Sequence, residues 1–125
     1  MPFRVTGRTA GIVLAAGASR RMGREKQLLT VGGETLLGRV LDACLASGLD
    51  EVVLVLGHEA RRIRASLARF QDHPRLTIVV NPRHGEGMST SLIAGLRAVE
   101  ESCDRVMILL GDMPHVTPDV IDRLR

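Results

Sequence analysis

Three short stretches of the chain carry residue types that can do chemistry. The first is Leu14-Ala-Ala-Gly-Ala-Ser-Arg-Arg-Met-Gly-Arg-Glu-Lys26, with two glycines, a hydroxyl and four basic residues directly after an apolar run. Glycines such as Gly17 and Gly23 let backbone N–H groups close on an anion, and Arg20, Arg21 and Lys26 add charge-assisted bonds. A polyphosphate needs that combination. A solvated basic loop with glycines for turning is the plainer alternative. The spacing matches neither common phosphate motif: a P-loop needs its glycines closer and a Lys-Ser/Thr pair, and the dinucleotide fingerprint is broken at Ala18-Ser19.

The second stretch is Gly111-Asp-Met-Pro114, at the end of another apolar run. A carboxylate there, Asp112, suits a hard cation such as Mg²⁺; an acid that only shapes the turn is the alternative. The third is Asn81-Pro-Arg-His-Gly-Glu-Gly-Met-Ser-Thr-Ser91, a polar loop leading into a helix. Asn81 can meet a ligand or form an Asx turn. Ser89, Thr90 and Ser91 can meet a ligand or cap the helix, and capping is expected of at least one. His58, His73, His84 and His115 have no metal spacing, and no Ser/His/Asp arrangement is legible. His73 reads as a loop residue, and His84 and His115 as surface residues flanking the candidate loops.

These loops need a frame, and 125 residues with 45% hydrophobic side chains supply one domain with a core. Trp and Tyr are absent and Phe occurs only at Phe3 and Phe70, so the core is aliphatic. Scarce aromatics and a net charge of +3 argue against nucleic acid as a partner. Sixteen of the 17 basic residues are Arg; Lys26 is the exception, a compact ammonium on a flexible stem. Cys44 and Cys103 lack metal spacing, and no secretory signal precedes them, which reads as reduced thiols in a cytoplasmic protein. The apolar runs are too short to span a bilayer.

Apolar runs at residues 10–16, 51–56, 76–80 and 104–110 read as buried strands. Helical periodicity covers Glu34 to Ser47, Glu59 to Phe70 and Met88 to Glu100, with Leu92, Ile93, Leu96 and Val99 inward in the last of these. Thr117-Pro118-Asp119 opens a final helix as N-cap, first helical residue and first-turn acid. Buried strands alternating with amphipathic helices predict an α/β fold, a doubly wound and mostly parallel sheet in strand order 3-2-1-4. Residues 1–9 read as a tail and 10–125 as the domain. Ligands bind such sheets beyond the carboxyl ends of the strands, near the switch point, where the Gly17–Lys26 loop and Asp112 both fall.

The motif Leu14-Ala-Ala-Gly-x-Ser-x-Arg-Met-Gly-x-x-Lys26-Gln-Leu-Leu resembles the signature of the molybdenum cofactor cytidylyltransferase type of nucleotidyltransferase, a MobA-like branch of a larger Rossmann-like superfamily. Asn81-Pro-x-x-x-x-Gly-Met-Ser-Thr-Ser-Leu92 and Leu110-Gly-Asp-Met-Pro-x-Val116 resemble the same branch. The resemblance covers Gly11 to Leu124. It implies binding of CTP or another NTP with Mg²⁺, transfer of CMP to a phosphate-bearing small molecule, here the molybdenum cofactor, and release of pyrophosphate. A molybdoenzyme or its chaperone is the implied protein partner.

Carried over by position, Leu14, Ala15, Ala16 and Gly17 lie against the base through backbone groups. Ser19, Arg20 and Gly23 belong to the same nucleotide-binding loop. Arg21 and Lys26 contact the triphosphate and Asp112 holds the metal. Asn81, Gly87, Met88, Ser89 and Ser91 help recognise the nucleoside. Ala16 is the residue of the Leu-Ala-Ala-Gly form, which points to CTP rather than GTP. Family members continue beyond the equivalent of Arg125 into an acceptor pocket and a second metal-binding acid. This chain is therefore expected to hold the nucleotide half, to be nearly inactive alone, and to expose its fourth strand as an apolar edge open to self-association. A sister transferase with another NTP or acceptor, and a catalytically silent nucleotide-binding module, are the alternatives.

Overall fold

The centre of the molecule is β1, Thr9–Ala15, in which every residue is buried. It pairs in parallel with β4, Glu51–Leu56, on one side and with β6, Arg105–Leu110, on the other. Strand β5, Leu76–Val80, pairs with the outer side of β4. The resulting order β5-β4-β1-β6 is the predicted 3-2-1-4 sheet. This computed structural model describes residues 7–16, 30–31, 34–113 and 115–125.

The helices cover the sheet unequally. Helices α1, Leu36–Ala46, α2, Ala60–Ala65, and α4, Pro118–Leu124, pack with one face: Leu37, Val40, Leu41, Ile63 and Ile121 join a single core with Val13 and Leu54. Helix α3, Met88–Val99, covers the other face, over Ile12, Leu14, Val53 and Val55. Its approach is close because its contact residue is Gly95. A Cβ there would stand 2.6 Å from Ile12 Cγ2 and 3.2 Å from Val55 Cγ2. Cys44, on α1, is fully buried, and burial pushes its thiol up to about 12.

Several elements differ from their sequence reading. The first helix starts at Leu36, not Glu34, because Thr35 Oγ1 caps it by accepting from Gly38 N at 2.9 Å. Glu34–Thr35 instead forms β3, antiparallel to β2, Thr30–Val31, a hairpin too short to show periodicity. The helix expected from Glu59 to Phe70 ends as α2 at Ala65, and a 3-10 turn spans Ala68–Phe70. Ser66 Oγ donates to Ile63 O at 2.6 Å and competes with the helical ladder there. Even so, Ile63, Leu67 and Phe70 are all buried as expected.

On α3 the buried residues are Ser91, Gly95 and Val99, while Ile93 faces outward at 48% exposure. Val99 and the partly buried Leu96 face the core as expected; Ile93 does not, because the small residues Ser91 and Gly95 carry the closest contact. Strands β5 and β6 are edges and not buried runs. Val80, Val106, Ile108 and Leu110 are all more than 40% exposed. Helix α4 follows its reading, with Thr117 Oγ1 accepting from Val120 N and Pro118 at the first turn. Among the described residues no helix is long and apolar enough to cross a membrane.

Polar bonds close the end of the sheet where the strands begin. Thr9 N donates to Asp50 Oδ2 at 2.8 Å, and Asp104 N donates to Arg8 O at 3.2 Å. Cys103 Sγ donates to Glu51 Oε2 at 3.1 Å, and Arg8 lies 3.5 Å from the same oxygen. Hydrogen bonds from Ser102, then Cys103 and Arg8, hold the Glu51 carboxyl below the usual carboxylate range. Arg75 closes the end of α1 by donating to Leu45 O, and to Leu49 O at 2.7 Å.

The α3 contact makes a direct prediction. Gly95→Ala puts a methyl into Ile12 and Val55 and lowers stability by about 1–3 kcal/mol, the cost of overpacking a filled core. Urea unfolding followed by circular dichroism measures it, and an unchanged midpoint would mean that α3 does not sit against β1 as described.

Candidate active site

The candidate site lies at the carboxyl end of the sheet, and strand register creates it. Leu14 is level with Val55 and Leu110, Ala15 with Leu56, and Leu56 with Val80. All four parallel strands therefore end on one rim. The residues that follow are Ala16, Gly57-His58, Asn81 and Gly111-Asp112. Backbone bonds tie them together: His58 N donates to Ala16 O at 3.1 Å, Gly111 N to Leu14 O at 3.0 Å, and Asn81 N to Leu56 O at 2.7 Å.

Glycines set how closely the rim packs. A Cβ at Gly111 would meet Leu37 Cδ1 at 3.0 Å and Ala15 Cβ at 3.1 Å. A Cβ at Gly57 would stand 2.7 Å from His84 Cγ and 3.0 Å from Ala16 Cβ. Gly111 thus brings Asp112 beside the end of β1. Asp112 is half-buried in a turn in which Met113 N donates to Leu110 O at 3.3 Å. Glu59, just past the rim, has φ 57°, the only non-glycine residue with positive φ among those described. That left-handed backbone costs about 1 kcal/mol.

Asn81 is a structural clamp. It is 4% exposed, and its Nδ2 donates to Thr90 Oγ1 and to Ser91 Oγ, both at 2.9 Å. Its Oδ1 accepts from Arg83 N at 2.9 Å, the Asx turn that the sequence left open. The loop from Pro82 to Gly87 is thereby pinned to the first turn of α3.

The expected side-chain cap on α3 is absent. Gly87 stands at the cap with φ 122°, and neither Ser89, Thr90 nor Ser91 caps the helix. Thr90 and Ser91 are instead turned to Asn81, which requires them as acceptors. Ser91 is 3% exposed, whereas Met88 is 64% exposed and Ser89 is open.

Leu14, Ala15, Ala16, Asn81, Gly87, Met88, Ser89, Ser91 and Asp112 are thus placed around or behind one rim. Gly17, Ser19, Arg20, Arg21, Gly23 and Lys26 lie outside the described residues. The structure adds His84, which the sequence reading left on the surface, and His58, to which it gave no role. His84 is half-buried against Gly57, and the two imidazole centroids are 6.2 Å apart at an angle of 64°. The legible signal was their position, one just after β4 and one just after β5. A groove of about 370 Å³ between Ala60, Arg61, Arg64 and Val80 opens on the outer side of those two strand ends.

Residues 11–125 match the MobA-like NTP transferase domain. The chain belongs to that family. Curated relatives include nicotine blue oxidoreductase from Paenarthrobacter nicotinovorans, 36% identical over 117 residues, covering 91% of this chain and 54% of the relative. Among solved structures, Rv0371c from Mycobacterium tuberculosis H37Rv superposes with a TM-score of 0.79 at 35% identity, over 94% of this chain and 58% of that one. A nucleotidyl transferase from Methanothermobacter gives a TM-score of 0.80 at 29% identity, over 93% of this chain and 56% of the other. This chain therefore spans a little over half the length of these relatives.

The clamp is testable. Asn81→Ala leaves the buried Ser91 hydroxyl and the Arg83 N–H without their partner, at a cost of about 1–3 kcal/mol. Amide hydrogen exchange is expected to speed up in residues 82–91 and not in β1. Unchanged exchange there would show that Asn81 does not hold the loop.

Proposed function

We propose that this chain is the nucleotide-binding half of a nucleotidyltransferase that takes CMP from CTP and passes it to a phosphate group of the molybdenum cofactor. The supporting observation is the shared rim. The end of β1 at Leu14–Ala16, the Asn81–Ser91 loop and Asp112 reach one place from separate parts of the chain. The MobA-like match over residues 11–125 supports the same reading.

In this reading a phosphate oxygen of the acceptor forms a bond to the α-phosphorus of CTP while the bond to the departing pyrophosphate breaks. The nucleophile is already anionic, so no general base is required. Positioning and charge neutralisation carry the rate. Backbone groups of Ala15 to Gly17 seat the base, and Arg21 and Lys26 neutralise the leaving pyrophosphate.

Asp112 fits a Mg²⁺ role. Mg²⁺ in such sites takes one or two carboxylates and fills its shell with substrate phosphates and water. Among the described residues no three ligating side chains cluster, so the donor set fits a shared metal rather than a protein cage. When bound, the ion would screen the phosphate oxygens and pull charge from the reacting phosphorus. A solved complex of Rv0371c with manganese, 32% identical to this chain, supports a divalent ion in the family.

The product would pass to a molybdoenzyme or its chaperone in the cytoplasm. Copies of this chain would associate through the β6 edge, where Val106, Ile108 and Leu110 are exposed in a row. A second reading rests on the relative named nicotine blue oxidoreductase. The same rim would then seat a redox substrate in place of an NTP.

Calorimetric titration separates the two readings. CTP is expected to bind only with Mg²⁺, more tightly than GTP or ATP, and roughly tenfold or more weakly after Asp112→Ala or Lys26→Ala. No binding of any NTP by the folded chain would remove the transferase reading and leave the redox one. For the edge, light scattering should show a mass above the monomer that Ile108→Lys returns to the monomer. A wild-type monomer at every concentration would remove the association.

A further inference from the structure

Among the described residues, most of the predicted nucleoside contacts are turned away from the rim, and Ser89 alone of the polar ones is open. Both Asn81 donors and its carbonyl oxygen are engaged inward, and Ser91 is buried behind it. Thr90 Oγ1 accepts from Asn81 and lies 2.8 Å from Gly87 O and 3.0 Å from Arg83 O. These groups shape the loop and have little left for a ligand. Ala15 and Ala16 offer only backbone, and the Ala16 carbonyl already accepts from His58 N.

His84 is differently placed. It starts the 3-10 turn His84–Glu86 inside the pinned loop. The Asn81 clamp therefore fixes its backbone, and His84 N itself bonds back to Asn81 O at 3.3 Å. Its side chain rests on Gly57 at the one point where Gly57 and Ala16 also meet. Only glycine at position 57 leaves room for it. Its ring stands edge-on to His58, whose backbone is tied to Ala16. The two imidazoles thus form a corner beside Ala16, the residue that follows β1.

We propose that His84 is the side chain that reads the base, with His58 as the wall that fixes its ring; the proposal rests on the transferase reading above. Imidazole carries a donor and an acceptor on one rigid ring, which suits the polar edge of a pyrimidine. In a chain without Trp or Tyr, it is also a flat side chain on which a base can lie. The role is recognition and not chemistry. His84 sits with Ala16 and His58 at the ends of β1, β4 and β5, while Asp112 follows β6.

The test separates base reading from triphosphate binding. The full chain and its His84→Ala, His84→Asn and His58→Ala variants are titrated with CTP, GTP and inorganic triphosphate, all with Mg²⁺. Folding is checked by thermal melting. His84→Ala is expected to weaken CTP roughly tenfold and to collapse the CTP-to-GTP ratio, with inorganic triphosphate unchanged. His84→Asn, which keeps a donor and an acceptor, restores part of the ratio. His58→Ala lowers it less than His84→Ala does.

An unchanged ratio in His84→Ala, with CTP still bound, overturns the role of His84 and leaves the transferase reading standing. Equal weakening of CTP, GTP and inorganic triphosphate also overturns it, since that is what a merely structural residue would do. A wild-type chain that binds no nucleotide overturns both.

Discussion

The structure depends on one constraint: β1 has no exposed residue and no free edge. Its backbone groups have to be satisfied by parallel neighbours on both sides, and its side chains have to be covered from both faces. That demand fixes the order of β4 and β6 around it and sends α1 and α3 to opposite faces. Parallel pairing then makes the four strands of this sheet run the same way, so the segments that follow them leave from one end. The candidate site is a by-product of how the central strand is buried.

The two ends of the sheet are consequently unlike. Where the strands begin, carboxylates, a thiol and backbone groups bond to one another around Glu51 and Asp50. Where they end, small residues let the rim pack closely. Gly57, Ala16 and Gly111 admit His84 and Leu37 at backbone level, and the bulkier polar groups stand on loops pinned from behind. Gly95 belongs to the same design, because the first turn of α3 carries the acceptors for Asn81. A shift of that helix would carry the loop with it.

Most of the frame was legible in the sequence. Continuous apolar runs at β1 and β4, bounded by glycine, identify buried parallel strands, and the order follows from the handedness of crossovers. Edge status was less legible in β5 and in β6, where Val106, Ile108 and Leu110 form a run as apolar as that of a central strand. The α2 break at Ser66 turns on one hydroxyl choosing a carbonyl, which periodicity does not register. At the site, residue types at strand ends marked Asn81 and Asp112. The inward direction of the Asn81 side chain depends on α3 and has no linear signal. The seat of His84 on Gly57 joins two loops that the sequence keeps apart.

The aliphatic core has one further consequence, through Cys44. Its thiol sits in the layer between α1 and the sheet, with no contact with water and with ionisation suppressed. A thiol-modifying reagent can reach it only in molecules whose α1 has lifted from β1 and β4. In a chain with no tryptophan to fluoresce, that sulfur is a built-in clock for the opening of the core.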